Sequence, residues 1–313
     1  MATALLRTKL SIPPPRLGAV PRMQLCDQLD GGLHGKLTVV SAPAGFGKST
    51  LLSAWATRTT LPLGWLTLGE TDNDPHHFWR YFGAALQAAF GDELPWPDAE
   101  SELTTDEDDT GEGLATALLN ALADISGPRA VLVLDDYHAI TNPAIQAMMA
   151  RFVENLLPPL HLIIASRIDP PWPLARLRAQ GELTEIRASD LRFTPEESAV
   201  FLTNVMGLAL EPTAIEALEA RTEGWIAGLQ MAALSMDGQT DPTDFLAGLG
   251  DSHHFITDYL LEEVLNRQPE ARREFLIKSA VLDRMSGSLC EAVTGVAEGD
   301  TMLRELEQAN LFI

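Results

Sequence analysis

Over roughly the first 190 residues, short apolar runs alternate with longer amphipathic stretches. Leu37-Thr38-Val39-Val40, LGWLTL at 63–68, the apolar start of AVLVLDDYH at 130–138, LHLIIA at 160–165 and residues 183–187 read as strands. Between them the apolar positions take a helical period. Leu25, Leu29 and Leu33 recur every four residues in a helix predicted at 22–33. Phe78, Phe82, Leu86 and Phe90 do the same at about 75–90, as a buried face. Asp72-Asn73-Asp74-Pro75 supplies the N-cap and proline start of that helix. Further helices are predicted from Ser49 through LLSAWA, at 114–125 and at 143–155. Apolar strands alternating with amphipathic helices predict an α/β fold, a parallel sheet covered on both faces. From Thr194 the pattern becomes helical only. Thr194 to Glu197 caps one helix, and others are predicted at about 213–221, 225–236, 255–266 and 269–281. The first 35 residues, apart from the helix at 22–33, read as an irregular lead-in. Its SIPPPR favours extended polyproline II geometry.

The first predicted strand runs straight into SAPAGFGKST, residues 41–50, and a helix follows. Strand, glycine-rich turn and helix start form the setting of a phosphate-binding loop. Backbone N–H groups from Ala44 through Gly45, Phe46, Gly47 and Lys48 to Ser49 would point at a polyphosphate, which the helix dipole also favours. Gly45 and Gly47 permit the backbone angles such a loop needs. Lys48 would reach the β- and γ-phosphates and the Ser49 hydroxyl would ligate Mg²⁺. The first glycine of the usual motif is replaced by Ala42.

Asp135 and Asp136 end an apolar strand that is expected beside the phosphate-loop strand. An acid there can hold Mg²⁺, usually through water, and Asp135 is expected in that role. Asp136 either orients the attacking water or caps the turn before Tyr137-His138. Arg167 follows the next core strand, at the sheet edge where ligands sit in open α/β folds. It reads as a γ-phosphate contact or as an interdomain ion pair. Gly224-Trp225-Ile226-Ala227-Gly228-Leu229 opens a later helix with small residues, for contact with the base or sugar or for close helix packing. His138 reads as a packed turn residue, and His253 and His254 as surface or cap residues without metal-ligand spacing.

Composition narrows the partners. The formal net charge is −22, with 44 acidic and 22 basic residues, so the chain as a whole is a poor nucleic-acid binder. Arg176 and Arg178, near Arg167, form the best basic cluster and read as a phosphate site or a domain contact. Residues 92–113 hold many carboxylates and no Lys or Arg, which reads as a solvated, mobile loop. The two cysteines, Cys26 and Cys290, match no metal spacing and suit a reducing cytoplasm. No apolar run is long enough to span a bilayer, and the N-terminus lacks the form of a signal peptide.

Several motifs together resemble the STAND class of P-loop ATPases, and within it the MalT-like large LuxR-type regulators. They are LLRTKLSIPPPR, VPR, SAPAGFGKST, GWLTL with DNDP, LVLDDYHAITNPAI, IIASR, LRFTPEES, TEGWIAGLQMAALS and DYLLEEVL, spread over essentially the whole chain. The resemblance implies a nucleotide-binding domain at 1–190, a helical domain at 191–262 and the start of a winged helix at 263–313. It implies ATP or ADP with Mg²⁺, and adenine against Val20, Pro21 and Arg22. Lys48, Ser49 and Thr50 map onto the phosphate and magnesium ligands, Asp135 and Asp136 onto the acidic pair, and Arg167 onto a sensor arginine. Where the family's GxP motif sets a proline on adenine, this chain has Ile226, so Trp225 or Ile226 is left to pack on the base. The family's winged helix runs on past NLFI and contributes an ADP-contacting histidine. A helical-repeat sensor and a LuxR-type helix-turn-helix come after it. The resemblance therefore implies part of a larger regulator whose other domains bind inducer and DNA, and which self-associates with ATP bound. The activity expected is slow ATP hydrolysis acting as a reset. A metabolic P-loop kinase acting on a small molecule and a nucleotide-binding scaffold without turnover are the rival readings.

Overall fold

Five strands form one parallel sheet: β1 (Leu37–Ser41), β2 (Leu63–Thr67), β3 (Ala130–Asp135), β4 (Leu160–Ser166) and β5 (Leu183–Arg187), in the order β2-β3-β4-β1-β5. The computed structural model describes residues 5–15, 18–91, 94, 112–125, 129–236, 261, 265–282 and 284–308. These divide into two compact units. The first takes in the chain up to Arg16, Pro21–Ser41 and Lys48–Asp190; the second takes in Leu17–Val20, Ala42–Gly47 and Leu191–Ile313.

In the first unit the inner strands β1, β3 and β4 are buried along their whole length. This is why they read as near-continuous apolar runs rather than as alternating ones. Register aligns Ser41 with Ser166 and with Arg187, and Thr67 with Asp135, so the functional strand ends share one edge. The strand order corrects one expectation. The strand carrying the acidic pair does not lie beside the phosphate-loop strand, because β4 intervenes and pairs with both. Five similarly apolar strands give no sequence signal for their lateral order.

Helices α1 (Met23–Gly32), α2 (Lys48–Ala56), α3 (Pro75–Phe90), α4 (Glu112–Ala123) and α5 (Pro143–Glu154) cover the sheet. Asp74 caps α3 by accepting from the His77 amide at 2.8 Å, and Phe78, Phe82, Leu86 and Phe90 are its buried face. Two short helices are absent from the sequence reading: α6 (Leu174–Gln180) and α7 (Ala188–Leu191). At this length no helical period can declare itself. Arg176 pairs with Glu154, and Arg178 makes a two-pronged pair with Glu185 at 2.7 and 2.9 Å. Both arginines are thus engaged within their own unit and form no basic patch. The lead-in carries one 3₁₀ turn, Arg7–Leu10. Its Leu5 and Leu10 pack on the core, and Lys9 donates to the fully buried Asp72 at 2.6 Å.

The second unit is helical: α8 (Pro195–Val200), continued by a π turn at Phe201–Val205, then α9 (Pro212–Thr222) and α10 (Ile226–Met236). Thr194 and Glu197 form the expected capping box. Phe193, Phe201, Leu202, Leu218, Leu229 and Met236 form much of the core of this part. Gly224 has φ of 70°, and a Cβ there would meet the Phe193 carbonyl at 2.4 Å. Only glycine allows the 2.9 Å bond from the Phe193 amide to the Gly224 carbonyl in that conformation. A separate small core of Phe275, Cys290 and Leu306 holds α11 (Glu270–Ser279), α12 (Gly287–Thr294) and α13 (Gly299–Gln308). Of these only α11 is expected from the sequence.

The acidic stretch at 92–113, apart from 94, 112 and 113, lies outside the described residues. So do His253, His254 and most of the helix expected at 255–266. Cys26 and Cys290 are buried free thiols. Among the described residues no helix is long and apolar enough to cross a membrane, and no group of three His, Cys, Asp or Glu could hold a metal.

Candidate nucleotide-binding site

Lys48 begins α2, and its side chain is buried. Burial, and next the charge of Arg167, hold its amine down to about 8; the carboxylates of Asp136 and Asp135 pull the other way. Ser49 donates its hydroxyl to the Asp135 carboxylate at 2.9 Å, so the first turn of α2 is joined to the end of β3 across the intervening β4. The same carboxylate oxygen accepts from the Asp136 amide at 3.0 Å. Burial pushes Asp135 up to about 6, helped by the neighbouring charge of Asp136 and opposed by the bonds from Ser49 and the Asp136 amide. A buried amine beside an arginine, and a buried carboxylate beside a second one, are two unfavourable charge placements. An anion at the first and a cation at the second would relieve both. The residues therefore fit a polyphosphate and a divalent ion: Lys48 and Arg167 would hold the former, and Ser49 and Asp135 the latter.

Asp136 is half exposed and takes a left-handed backbone, φ 56° and ψ 38°. Its carbonyl accepts from the Ala139 amide at 3.0 Å, which starts the 3₁₀ turn Tyr137–Ala139. It serves that turn by its backbone, which leaves its carboxylate facing solvent and Lys48. His138 sits in the turn with its Nδ1 3.9 Å from the Asp136 carboxylate. Thr50 follows Ser49 in α2 and is partly buried.

The loop Ala42–Gly47 groups with the second unit. Gly45 and Gly47 have φ of 80° and 77°, the left-handed angles that favour glycine. Ala44 and Phe46 are buried. The Trp225 indole N–H donates to the Ala44 carbonyl at 3.1 Å, and the Ala227 amide donates to the Gly45 carbonyl at 3.1 Å. Ile226 lies against Gly47, its Cδ1 3.0 Å from where a Cβ would be. The GWIAG segment thus braces the loop's backbone, a role the sequence does not signal. Val20 and Ile226 pack on the same apolar cluster of this unit. Pro21 and Arg22 belong to the first unit. Pro21 is exposed, and the Arg22 guanidinium donates to the Asp190 carbonyl at 2.9 Å.

A parallel sheet, a glycine-bent loop leading into a helix whose first turn carries the lysine and serine, and an acid at the end of a nearby strand define a P-loop ATPase fold. Known proteins bear this out. Residues 261–313 match the MalT winged helix domain family. The chain is 36% identical over 315 residues to the HTH-type transcriptional regulator MalT of Cronobacter sakazakii, covering 99% of this chain and 34% of that protein. It is 33% identical over 312 residues to the serine/threonine-protein kinase PknK of Mycobacterium tuberculosis, covering 98% of this chain and 28% of that protein. A solved STAND protein with a tetratricopeptide repeat sensor, from Pyrococcus horikoshii, aligns at TM-score 0.50 and 17% identity, over 95% of this chain and 40% of its own. A Walker-type ATPase of Pyrococcus abyssi aligns at TM-score 0.59 and 15% identity, over 97% of this chain and 94% of its own. The chain is MalT-like in sequence over its whole length, and it spans about a third of the length of the curated relatives it matches.

Proposed function

We propose that this chain is the ATP- and ADP-binding switch module of a MalT-like transcriptional regulator, with slow Mg²⁺-dependent ATP hydrolysis returning it to an ADP state. The observation that carries this reading is the Ser49–Asp135 bond beside the buried Lys48. In this reading residues 1–190 bind the nucleotide, 191–262 form a helical domain and 263–313 begin a winged helix. Lys48 binds the outer phosphates and Arg167 senses the γ-phosphate. Ser49 and Asp135 hold the ion, which supplies charge neutralisation at the phosphates. Asp136 orients the attacking water. The backbone from Ala44 to Ser49, with Thr50, cradles the phosphates, and Val20 and Ile226 offer the base an apolar surface. Pro21, Arg22 and Trp225 flank that surface through their neighbours in the chain.

A two-state switch needs the two nucleotides to favour different states. Reversing a population from 1:99 to 99:1 takes about 5.5 kcal/mol of differential affinity. The γ-phosphate contacts of Lys48 and Arg167 are the natural source of that difference. Fast turnover is not expected, because the sequence shows no obvious arginine finger in cis, and such an arginine is worth about 10³–10⁵ in rate. The protein would act in the cytoplasm and self-associate with ATP bound in the full-length regulator, where other domains bind inducer and DNA. The test is ADP and ATP binding by Lys48→Ala. Affinity for both should fall at least roughly 10-fold, the loss of one charge-assisted contact. Unchanged affinity for both nucleotides would refute the phosphate-loop assignment.

A further inference from the structure

The turn after the acidic pair is held from two sides by amide side chains that lie outside it. Asn73 ends the 3₁₀ turn Glu70–Asn73, just before α3. Its Nδ2 donates to the Ala139 carbonyl at 2.6 Å. Its Oδ1 accepts from the Thr141 and Asn142 amides at 2.6 and 2.9 Å, and its own carbonyl accepts from Asn142 Nδ2 at 2.9 Å. Gln146, in the first turns of α5, donates to the Ile140 carbonyl at 2.6 Å. Its Oε1 accepts from the Tyr137 hydroxyl at 2.9 Å and from the Trp172 indole at 3.0 Å. Every residue from Ala139 to Asn142 is gripped in this way, and Tyr137 with them.

Such a dense grip has an identifiable object. Asp136 opens the turn with a left-handed backbone, φ 56°, which aspartate takes more readily than most non-glycine residues but which still has to be held in place. Strain of this kind persists only where the surroundings over-determine it. The Asp136 carboxylate is half exposed, so packing does little to aim it. Its direction follows from the backbone of the turn, and the turn follows from Asn73 and Gln146. The Asn73 side of the grip is itself anchored. Neighbouring Asp72, wholly buried, accepts from Lys9 of the lead-in at 2.6 Å and from the Gly69 amide at 2.8 Å.

We propose that Asn73 and Gln146 are positioning residues that fix the direction of Asp136. The inference rests on the reading of Asp136 as the residue that orients the attacking water. Its test uses the 313-residue chain as parent, Asn73→Ala, and Gln146→Glu, which keeps the acceptor for Tyr137 and Trp172 but loses the donor to Ile140. Three quantities are read: amide hydrogen exchange over 136–142 without nucleotide, ADP affinity in a metal chelator, and single-turnover hydrolysis of Mg-ATP. Both variants should exchange faster over 136–142 with β1 and β4 unaltered, bind ADP within about twofold of the parent, and hydrolyse ATP roughly 10- to 100-fold more slowly, as expected for a misplaced group. Exchange unaltered over 136–142 overturns the proposal. So does hydrolysis at the parent's rate, no turnover in any of the three included, and so does a fall in hydrolysis matched by an equal fall in ADP affinity. In these cases a parent that binds ADP keeps the phosphate-loop reading intact. A parent that binds no ADP overturns that reading and this proposal with it.

Discussion

Trp225 directs its one polar atom at the phosphate loop. A loop that turns its N–H groups inward to an anion must turn carbonyls outward, and a buried carbonyl needs a donor. The indole of Trp225 supplies one to Ala44, and the Ala227 amide supplies one to Gly45. The tryptophan is itself buried and touches Gly228, whose missing side chain makes room for the ring: a Cβ there would lie 2.6 Å from Trp225 Cε3. Trp225→Phe keeps an aromatic ring in place but removes the N–H, together with the pyrrole part of the indole. Leaving a buried carbonyl without its donor costs about 1–3 kcal/mol. If the brace holds the loop in its binding shape, ADP affinity should fall roughly 5- to 10-fold, the lower part of that range. Titration calorimetry on the two proteins decides it, and equal dissociation constants would mean that the bond packs the second unit without shaping the loop.

At the scale of elements, β4 carries a histidine where its neighbours are Leu160, Leu162 and Ile163, and His161 is fully buried. Its Nδ1 lies 3.0 Å from the Gly35 carbonyl, which only accepts, so Nδ1 carries the proton. Nε2 then accepts from the Thr38 hydroxyl of β1 at 2.9 Å. The neutral ring thus ties β4 to β1 and to the turn before it, with both nitrogens satisfied. Burial holds the ring down to about 4, the bond to Gly35 opposing and Arg129 adding to the shift. Between pH 6.5 and 4 the unfolded chain binds a proton that the folded one refuses. The stabilisation is therefore complete above about 6.5 and is lost as pH falls toward 4. From pH 7.5 to pH 5 the parent should lose about 2 kcal/mol more than His161→Gln. Urea unfolding of the sheet at the two pH values measures this, and equal losses in both proteins would exclude the histidine. The expected strands matched the structure to within a few residues at their ends. β1, β3 and β4 were legible because strands buried on both faces are predominantly apolar and end at turn residues. Their lateral order was not, since nothing local tells β4 from β3. Leu174–Gln180 and Ala188–Leu191 were too short to show a period. The phosphate loop and the acidic pair were legible as spacing. The grip of Asn73 and Gln146 and the brace from Trp225 were not, since Asn73 meets its turn 66–69 residues along the chain and Trp225 meets Ala44 at a separation of 181. Contacts at such distances leave no periodic trace in a sequence.

The charge of the whole molecule bears on what this chain would do in the proposed switch. The net charge is −22, and several of the cations described are paired within their own units: Arg176 with Glu154, Arg178 with Glu185, Arg192 with Glu223 and Arg272 with Glu305. Binding to duplex DNA gains its free energy from counterions released as lysines and arginines neutralise phosphates. Cations already held by carboxylates release few, and the surplus carboxylates repel the duplex. Despite the similarity to a helix-turn-helix regulator, these 313 residues are therefore not expected to read DNA. In the proposed switch the nucleotide alters what the rest of the regulator does, and the present residues supply the signal. At roughly 10 µM protein and 0.15 M salt, the 313-residue chain should not retard duplex DNA in a gel, with ADP, with ATP or with neither. Retardation that weakens steeply with added salt would show a basic face that the ion pairs do not cancel, and would move DNA binding into this chain.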